Sequence, residues 1–324
     1  MVKRFELFSL VIFSGIFFLS GCSFGASNIY EIKIDNKKEN QKIEKELPIR
    51  DKKEMSILFL GDLMFDRSIR QFAQKKGNDF IFEKVADLLK DNDLAVVNLE
   101  GPITDNQSKS VNTVPEQKEH FYFTFDKSLA ETLAKNNIKL VNLGNNHTLN
   151  FGQEGLVQTE NYLKENNVDY FGDPVNKEKN YIFKEINGMI IGFVSYNQFG
   201  GSAEETINNI NNIKNKVDTL IVYTHWGKEY EKIFSEKIKS LAHSFVDSGA
   251  DLIIGSHPHV VQDIEEYKGK RIYYSLGNFI FDQYFSAETM SGLAVRVKVN
   301  PDDKSLEFQE IPLVMNKSGQ VLPK

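Results

Sequence analysis

Five short apolar segments of this sequence each end in residues whose side chains can bind a metal ion. The segments are bounded by Gly, Asn and Asp, as buried β-strands are, and ligands in open α/β folds collect beyond the carboxyl ends of such strands. Carboxylate and imidazole groups together are typical of sites for divalent transition metals. The residues at these five ends are Asp62, Glu100, Asn145, Asn146, His147, His225, His257 and His259.

Four of the six histidines of the chain lie at these predicted strand ends. Any one of them, taken alone, is better explained as a polar residue at a strand–loop junction. Four together, beside Asp62 and Glu100, favour a metal site instead. The other two, His120 and His243, are interpreted as structural or peripheral.

The composition describes a globular protein with a full core. The chain has 324 residues, of which 41% are hydrophobic, and a formal net charge of −6. These values suit one large domain or two small ones. The acidic balance and the lack of a basic stripe argue against a nucleic-acid partner.

The N-terminus predicts export and lipid anchoring. A basic start, Lys3-Arg4, precedes an apolar stretch over 7–19 that fits a secretory signal. The next residues, Leu19-Ser20-Gly21-Cys22, resemble the bacterial lipobox, in which the cysteine is lipidated; the alternative is a plain signal peptide with an incidental cysteine. We therefore expect a signal peptide over 1–22, a polar tether over 23–54, and an extracytoplasmic protein held on the bacterial cell membrane at Cys22.

Residues 55–324 are predicted to form a single domain in which strands and helices alternate. Asn187-Gly188 and Lys268-Gly269 predict two β-hairpins, so a mixed sheet system is expected rather than a purely parallel one. A helix is predicted over Phe80–Lys90. The segment Thr104–Glu119 has no regular pattern and directly follows the Glu100 region, so it is either a lid over the site or a plain surface loop.

Six motifs carry a resemblance to a known family and span about residues 55 to 285. The sequence resembles the bacterial capsule-synthesis CapA family, the poly-γ-glutamate biosynthesis proteins, which is similar in fold to calcineurin-like metallophosphoesterases. The resemblance implies an α/β fold, a four-layer αββα sandwich of two mixed sheets with helices outside. The motifs are Gly61-Asp62-Leu63-Met64, Asn98-Leu99-Glu100, Gly144-Asn145-Asn146-His147, His225-Trp226-Gly227-Lys228-Glu229-Tyr230, Gly255-Ser256-His257-Pro258-His259-Val260-Val261-Gln262 and Ser275-Leu276-Gly277-Asn278-Phe279.

The resemblance also implies roles for individual residues. His147 stands where the phosphoesterases have a general acid near the leaving group. One or two divalent ions, Mn²⁺, Fe²⁺ or Zn²⁺, are expected as cofactors. The implied metal ligands are Asp62, Glu100, Asn146, His225, His257 and His259.

Three further residues are expected to support this centre. Arg67, five residues after Asp62, is a candidate for holding an anionic group of the substrate, or else an exposed arginine at the start of a helix. Asn150 and Asn278 are expected to position the metal-binding or catalytic groups.

Two positions depart from the phosphoesterase pattern. Met64 stands where a histidine ligand is usual, and its thioether is unsuited to a hard divalent ion. Asn150 stands where the capsule family often has an aspartate, so a hydrogen bond to His147 is kept but a charge is lost. Both departures weaken the case for efficient phosphoester hydrolysis.

Three functions are compatible with these observations. The first is a metal-dependent hydrolase of phosphoester or γ-glutamyl bonds in the cell envelope. The second is a non-catalytic component of capsule synthesis or export that binds an anionic polymer through its metal ions and works with other capsule-synthesis membrane proteins. The third is a surface lipoprotein in which the cluster has no role, which the cost of burying an unpaired carboxylate argues against.

Overall fold

The computed structural model of the chain describes residues 52–324. The predicted signal peptide with Cys22, and nearly all of the predicted tether, lie outside the described residues. The first strand begins at Met55, where the sequence predicts the start of the folded domain. Within residues 52–324, no helix is both long enough and apolar enough to cross a membrane.

Eight strands form the first sheet, which is mixed. Across it lie β14 (Val321–Pro323), β13 (Leu306–Met315), β12 (Ser291–Val299), β1 (Met55–Leu63), β2 (Leu94–Leu99), β3 (Ile138–Asn142) and β4 (Asp169–Phe171), with β11 (Asn278–Ile280) also beside β1. Strands β1 to β4 are parallel neighbours, and β11 pairs in parallel with β1. Strands β12 to β14 pair antiparallel with their neighbours.

Six strands form the second sheet, which is also mixed. They are, in order, β5 (Tyr181–Ile186), β6 (Met189–Asn197), β7 (Thr219–His225), β8 (Leu252–Ser256), β10 (Lys270–Tyr273) and β9 (Ile264–Tyr267). The four inner strands are parallel, whereas β5 and β9 close the two edges as antiparallel hairpin strands. Both predicted hairpin turns are present. Asn187, Gly188, Lys268 and Gly269 all have positive φ, as the tight turns of hairpins require.

Within residues 52–324, seven α-helices cover the outer faces of the two sheets. They are α1 (Arg67–Lys76), α2 (Asn78–Phe82), α3 (Ala86–Lys90), α4 (Ser128–Lys135), α5 (Gly152–Glu165), α6 (Ala203–Ile213) and α7 (Glu236–Ser248). The first five pack on the first sheet and the last two on the second. The prediction of one helix over Phe80–Lys90 is wrong, because two short helices occupy this span and residues 83–85 form a turn between them.

The structure has three apolar layers, and alternate side chains of β1 point into two of them. Leu58 and Leu60 pack towards the helices that cover the first sheet, whereas Ile57 and Phe59 face the second sheet. Phe59 meets Phe193 of β6 there, with ring centroids 6.4 Å apart. A third apolar layer lies between the second sheet and its two helices. Three buried layers between four sets of elements confirm the predicted αββα sandwich.

Candidate metal centre

The candidate ligands come from the carboxyl ends of parallel strands in both sheets. Asp62 lies near the end of β1, Glu100 directly follows β2, and His225 is the last residue of β7. The remaining candidates follow β3 and β8: Asn146, His147, His257 and His259. Because neighbouring parallel strands end on the same side, both sheets deliver these residues to one edge of the sandwich.

Short distances join the predicted ligands into one cluster. Asp62 Oδ2 lies 3.3 Å from His259 Nδ1, and Glu100 Oε1 lies 3.6 Å from His259 Nε2. His225 Nδ1 lies 4.0 Å from Asp62 Oδ1, and the rings of His225 and His257 are 4.7 Å apart. All five residues are buried. The structure therefore brings together residues that are almost 200 positions apart in the chain.

Asn146 lies at the half-buried margin of this cluster. Its Oδ1 is 2.9 Å from His225 Nε2, so the amide and the imidazole present their polar atoms to the same space. Two groups of donor atoms, each within 4.8 Å of one another, define the centre: Asp62, Glu100 and His225 in one, and Glu229, His257 and His259 in the other. The two groups offer ligand atoms for two neighbouring metal ions.

Unpartnered buried atoms show that a cation fits this site. Among the residues that the structure describes, neither Glu100 oxygen has a hydrogen-bond partner, and the same holds for Nδ1 of His257, although all three atoms are buried. A buried carboxylate without a partner is costly, and native structures seldom leave such groups unsatisfied. A divalent ion would satisfy these atoms, because carboxylate oxygen and imidazole nitrogen are its usual ligands.

Protonation of the ligands is compatible with metal binding at neutral pH. Burial alone would raise the pKa of Asp62, but His259, His225 and a hydrogen bond from Asn98 hold it at about 2. Burial lowers the pKa of His257 to about 3, and that of His225 well below its usual range. Asp62 is thus ionised and these imidazoles are neutral, which are the states in which they bind metals.

Glu100 is the exception among the ligands. Burial, together with the nearby carboxylates of Asp62 and Glu229, raises its pKa well above the usual range. The metal-free fold therefore favours the protonated side chain, and a bound cation would favour the ionised one.

Two buried asparagines form a hydrogen-bonded row with Asp62. In the register of the first sheet, Asn98 of β2 is paired with Asp62 of β1, and Asn142 of β3 is paired with Asn98. Asn98 Nδ2 donates to Asp62 Oδ1 at 2.8 Å, and Asn142 Nδ2 donates to Asn98 Oδ1 at 3.0 Å. Sequence reasoning missed this support; the polar residues within otherwise apolar strands were its only signal.

Asn278 orients His259. Its Oδ1 lies 2.9 Å from His259 Nδ1, while its Nδ2 donates to the backbone carbonyl of Thr289 at 2.9 Å. The amide orientation indicates that Nδ1 of His259 carries the proton and that Nε2 faces Glu100 with a free lone pair. His257 and His259 both have positive φ, of 98° and 57°. Such conformations are costly outside glycine and occur mainly at functional sites.

His147 lies over the centre with its proton directed away from it. Its Nδ1 is 3.1 Å from Asn150 Oδ1, which also accepts the backbone N–H of Phe123 at 2.9 Å. This places the imidazole proton on Nδ1 and leaves Nε2 facing Glu100 Oε1 at 3.9 Å. Burial lowers the pKa of His147 to about 4, so the ring is neutral at pH 7 in the metal-free protein.

Glu229 is a candidate ligand that sequence reasoning did not assign. Met64, where the phosphoesterases have a histidine, is fully buried, and its Sδ accepts the backbone N–H of Asp66 at 3.0 Å. The sulfur is therefore engaged by this backbone N–H and not by a candidate metal ligand. Glu229 comes from another loop, and its carboxylate oxygen lies within 4.8 Å of the ligand nitrogens of His257 and His259. Its place in the His-Trp-Gly-Lys-Glu-Tyr motif was the available signal.

Arg67 is buried rather than exposed, so the alternative of a surface arginine is wrong. It is the first residue of α1, is only 7% exposed, and pairs with Asp282. Its guanidinium carbon lies 5.1 Å from the ring centre of Phe123 and 5.5 Å from that of Phe281. These rings are next to His147 and His259, respectively. Phe123 and Phe281 therefore each contact both Arg67 and a histidine of the cluster.

Hydrogen bonds hold the irregular segment Thr104–Glu119 to the neighbouring residue Asp66. Ser108 Oγ and Ser110 Oγ donate to Asp66 Oδ2 at 3.0 and 2.9 Å, and Asp66 is fully buried. These contacts hold the middle of the segment against the fold next to α1. Trp226 is also fully buried, and its Nε1 donates to the Tyr274 carbonyl at 2.9 Å, so it packs in the core.

Comparison with known proteins identifies relatives. The family model of the bacterial capsule synthesis protein PGA_cap matches residues 56–283. The PGA biosynthesis protein CapA of Bacillus subtilis (strain 168) is 29% identical over 257 residues, covering 74% of this chain and 66% of that protein. The capsule biosynthesis protein CapA of Bacillus anthracis is 29% identical over 265 residues, covering 75% and 64%. The chain thus spans slightly less than two thirds of the length of either relative.

A solved structure, that of TT1561 from Thermus thermophilus, superposes with a TM-score of 0.44 and 13% identity, covering 79% of this chain and 99% of the other. The family match covers well over half of the sequence and includes every motif quoted above, so the resemblance to the capsule-synthesis proteins is confirmed. This chain belongs to the family of the bacterial capsule synthesis protein PGA_cap.

Proposed function

We propose that this chain is a lipid-anchored, extracytoplasmic protein of capsular poly-γ-glutamate synthesis that works through a divalent metal centre. Family membership supports the pathway, since its two relatives are named for PGA and capsule biosynthesis. The lipobox-like residues ending in Cys22 support the anchor. Other capsule-synthesis membrane proteins are the expected partners, and an anionic polymer is the expected ligand.

One observation carries the metal centre. Both Glu100 oxygens are buried without a hydrogen-bond partner within a few ångströms of His259 and His147. Asp62, Glu100, His225 and Asn146 would hold one ion, and Glu229, His257 and His259 a second. The mixture of oxygen and imidazole ligands suits Mn²⁺, Fe²⁺ or Zn²⁺.

The reaction we propose is hydrolysis of a γ-glutamyl or phosphoester bond of a cell-envelope substrate. The bound ions would polarise the scissile group and lower the pKa of a water molecule. His147 would act through Nε2, which has a free lone pair and points at the centre. This nitrogen can take a proton from the attacking water and return it to the departing amine or alkoxide. Asn150 would keep Nδ1 protonated and the ring oriented during both transfers.

A second candidate function, polymer binding without turnover, is favoured by Met64. Its sulfur is buried and hydrogen-bonded to Asp66, so one usual metal ligand of the phosphoesterases is absent. If Glu229, which is accessible to solvent, binds its ion weakly, the centre would hold one ion firmly and grip a carboxylate without cleaving a bond. The overall negative charge of the chain would then make polymer binding metal-dependent.

Turnover separates these two functions. The full chain, supplied with Mn²⁺, would be incubated with a γ-linked glutamate oligomer and with a generic phosphodiester. Catalysis predicts product release that falls by about 10²–10⁴-fold in His147→Ala while metal content stays unchanged. Metal-dependent binding of the oligomer without product selects the non-catalytic function, and neither binding nor product rejects the proposal.

The anchor is tested separately by Cys22→Ser. This change removes the only cysteine and with it the predicted lipid. We expect the variant to leave the membrane fraction for the soluble fraction, because a polar, acidic protein is not retained on an anionic membrane by charge. Equal membrane retention of the variant and the wild-type protein would refute lipid anchoring.

A further inference from the structure

A cavity of about 390 Å³ lies beside the candidate metal centre. Arg67 lies at its inner end, Phe121 lines one wall, and Tyr230 with residues 282–285 lines the other. The Tyr230 ring is 6.2 Å from that of His259, so the cavity and the centre share a border. Phe121 lies between Ser110 and Thr124, which both donate hydrogen bonds to the buried Asp66 and so anchor this part of the cavity lining.

The guanidinium of Arg67 is oriented in this cavity with donor capacity to spare. Asp282 pairs with Nη2, and Asp282 is itself held through its other oxygen by the backbone N–H and hydroxyl of Ser68, at 3.1 and 3.0 Å. Within residues 52–324, Nε of Arg67 is buried and has no acceptor. Buried donors are seldom left unsatisfied, so the hydrogen bonding of this guanidinium is incomplete inside the fold.

Arg67 also adopts a backbone conformation that is unusual for its residue type. Its φ of 50° lies in the left-handed region, at the first position of α1. This conformation is costly for a non-glycine residue, and it concentrates at ligand-binding positions. The faces of Phe123 and Phe281 hold the guanidinium carbon at 5.1 and 5.5 Å, which further limits its motion.

Aromatic side chains surround the mouth of the cavity. Phe121 is 44% exposed, Tyr230 43% and Phe285 66%, and the last two contact edge to face with centroids 5.2 Å apart. Large exposed aromatics gathered around one opening mark a binding surface. Their faces suit the methylene groups of a flexible chain, whereas the inner end of the cavity suits an anion.

We propose that this cavity is a subsite for a carboxylate of a polyanionic chain, bound by Arg67 next to the metal centre. The proposal rests on the proposed function and specifies its substrate class. Asp282 already neutralises much of the Arg67 charge, so the guanidinium itself offers little attraction for a second negative charge on the ligand. A singly charged carboxylate therefore fits better than a doubly charged phosphate. The methylenes between successive carboxylates would lie on Tyr230 and Phe285.

Calorimetry of the full chain with Mn²⁺ bound tests this subsite. The probes are a γ-linked glutamate oligomer, its neutral methyl ester, and inorganic phosphate. Arg67→Lys keeps the charge and the partner Asp282 but removes the planar set of donors. We expect the oligomer to bind at least tenfold more weakly to this variant and to Phe285→Ala, with Mn²⁺ content unchanged in both. The neutral ester and phosphate should bind the wild-type protein at least tenfold more weakly than the oligomer.

Three results would overturn the subsite. Equal oligomer affinity in Arg67→Lys and in the wild-type protein would show that Arg67 does not bind the carboxylate. Equal affinity for the ester would remove the role of charge, and tighter Arg67-dependent binding of phosphate would assign the cavity to a different anion. If the wild-type protein binds no oligomer with or without Mn²⁺, the proposed function itself fails, and the subsite with it. The three results above contradict only the subsite.

Discussion

Glu100 and His259 face each other in the interior with Oε1 3.6 Å from Nε2, too far apart for a good hydrogen bond. Within residues 52–324, neither Glu100 oxygen has a hydrogen-bond partner. The carboxylate and the imidazole therefore face the same space as neighbouring candidate metal ligands, and the chemistry around them leads to four predictions.

Replacing Glu100 by glutamine should remove the stabilisation contributed by the ion that Glu100 binds. At a free Mn²⁺ concentration about 100 times the Kd, each ion that binds only the folded protein adds about 2.7 kcal/mol. Urea unfolding with and without Mn²⁺ should show the full gain in the wild-type protein and in the control Glu131→Gln, whose side chain is exposed on α4. In Glu100→Gln the gain should be smaller by about 2.7 kcal/mol. An equal gain in all three proteins would remove Glu100 from the centre.

Without metal, the stability difference between the wild-type protein and Glu100→Gln should depend on pH. The pKa of Glu100 is raised above its usual value of 4.5 in the fold. Stabilisation by the protonated side chain is therefore present at low pH and is lost as pH rises from the unfolded pKa to the folded pKa, by about 1.4 kcal/mol for each pH unit that separates the two. Asp62, His225 and His257 titrate in both proteins and cancel in the difference.

This difference is measured by urea unfolding in chelator between pH 5 and pH 8. Wild-type stability should fall relative to that of Glu100→Gln across this range. A constant difference would mean that Glu100 is ionised throughout, and its environment would then differ from the one described.

Replacing Glu229 by glutamine should remove one of two bound ions. Glu229 belongs to the group with His257 and His259, whereas Asp62, Glu100 and His225 form the other. Elemental analysis at saturating Mn²⁺ should fall from two ions per chain to one. Glu231→Gln is the matched control, because this nearby carboxylate is exposed and pairs with Lys228. Two ions in Glu229→Gln would show that Glu229 is not a ligand.

Restoring an aspartate at position 150 should raise the pKa of His147. Asn150 accepts a hydrogen bond from Nδ1 and carries no charge, and burial holds the pKa of His147 at about 4. A carboxylate in the same place favours the imidazolium, so the pKa should rise by about 1–3. Imidazole NMR of metal-free Asn150→Asp measures it, with His147→Gln to assign the signal. An unchanged or lower pKa would contradict the described contact.

Much of the centre is predictable from the sequence because local patterns decide where strands end. Apolar runs that stop at Gly, Asn or Thr predict the ends of β1, β2, β3, β7 and β8, and with them the positions of Asp62, Glu100 and the histidines. The hairpin at Asn187-Gly188 can also be predicted from the local sequence, because its turn needs two residues that tolerate positive φ.

The missed features depend on loop conformation and distant packing. Glu229 reaches its histidines because Gly227 and Tyr230 both have positive φ, which redirects the chain after β7. Burial of Arg67 depends on Asp282, more than 200 residues away. The break in the predicted helix over Phe80–Lys90 likewise follows from tertiary packing, which overrides a local periodicity.

Metal content tests the central claim most directly. The full chain would be purified without chelator, and its Mn, Fe and Zn measured by elemental analysis beside Glu100→Ala prepared in the same way. We predict one or two divalent ions per wild-type chain and the loss of at least one in the variant. A wild-type protein without bound transition metal, even after incubation with Mn²⁺, Fe²⁺ and Zn²⁺, or a variant with equal content, would contradict the account.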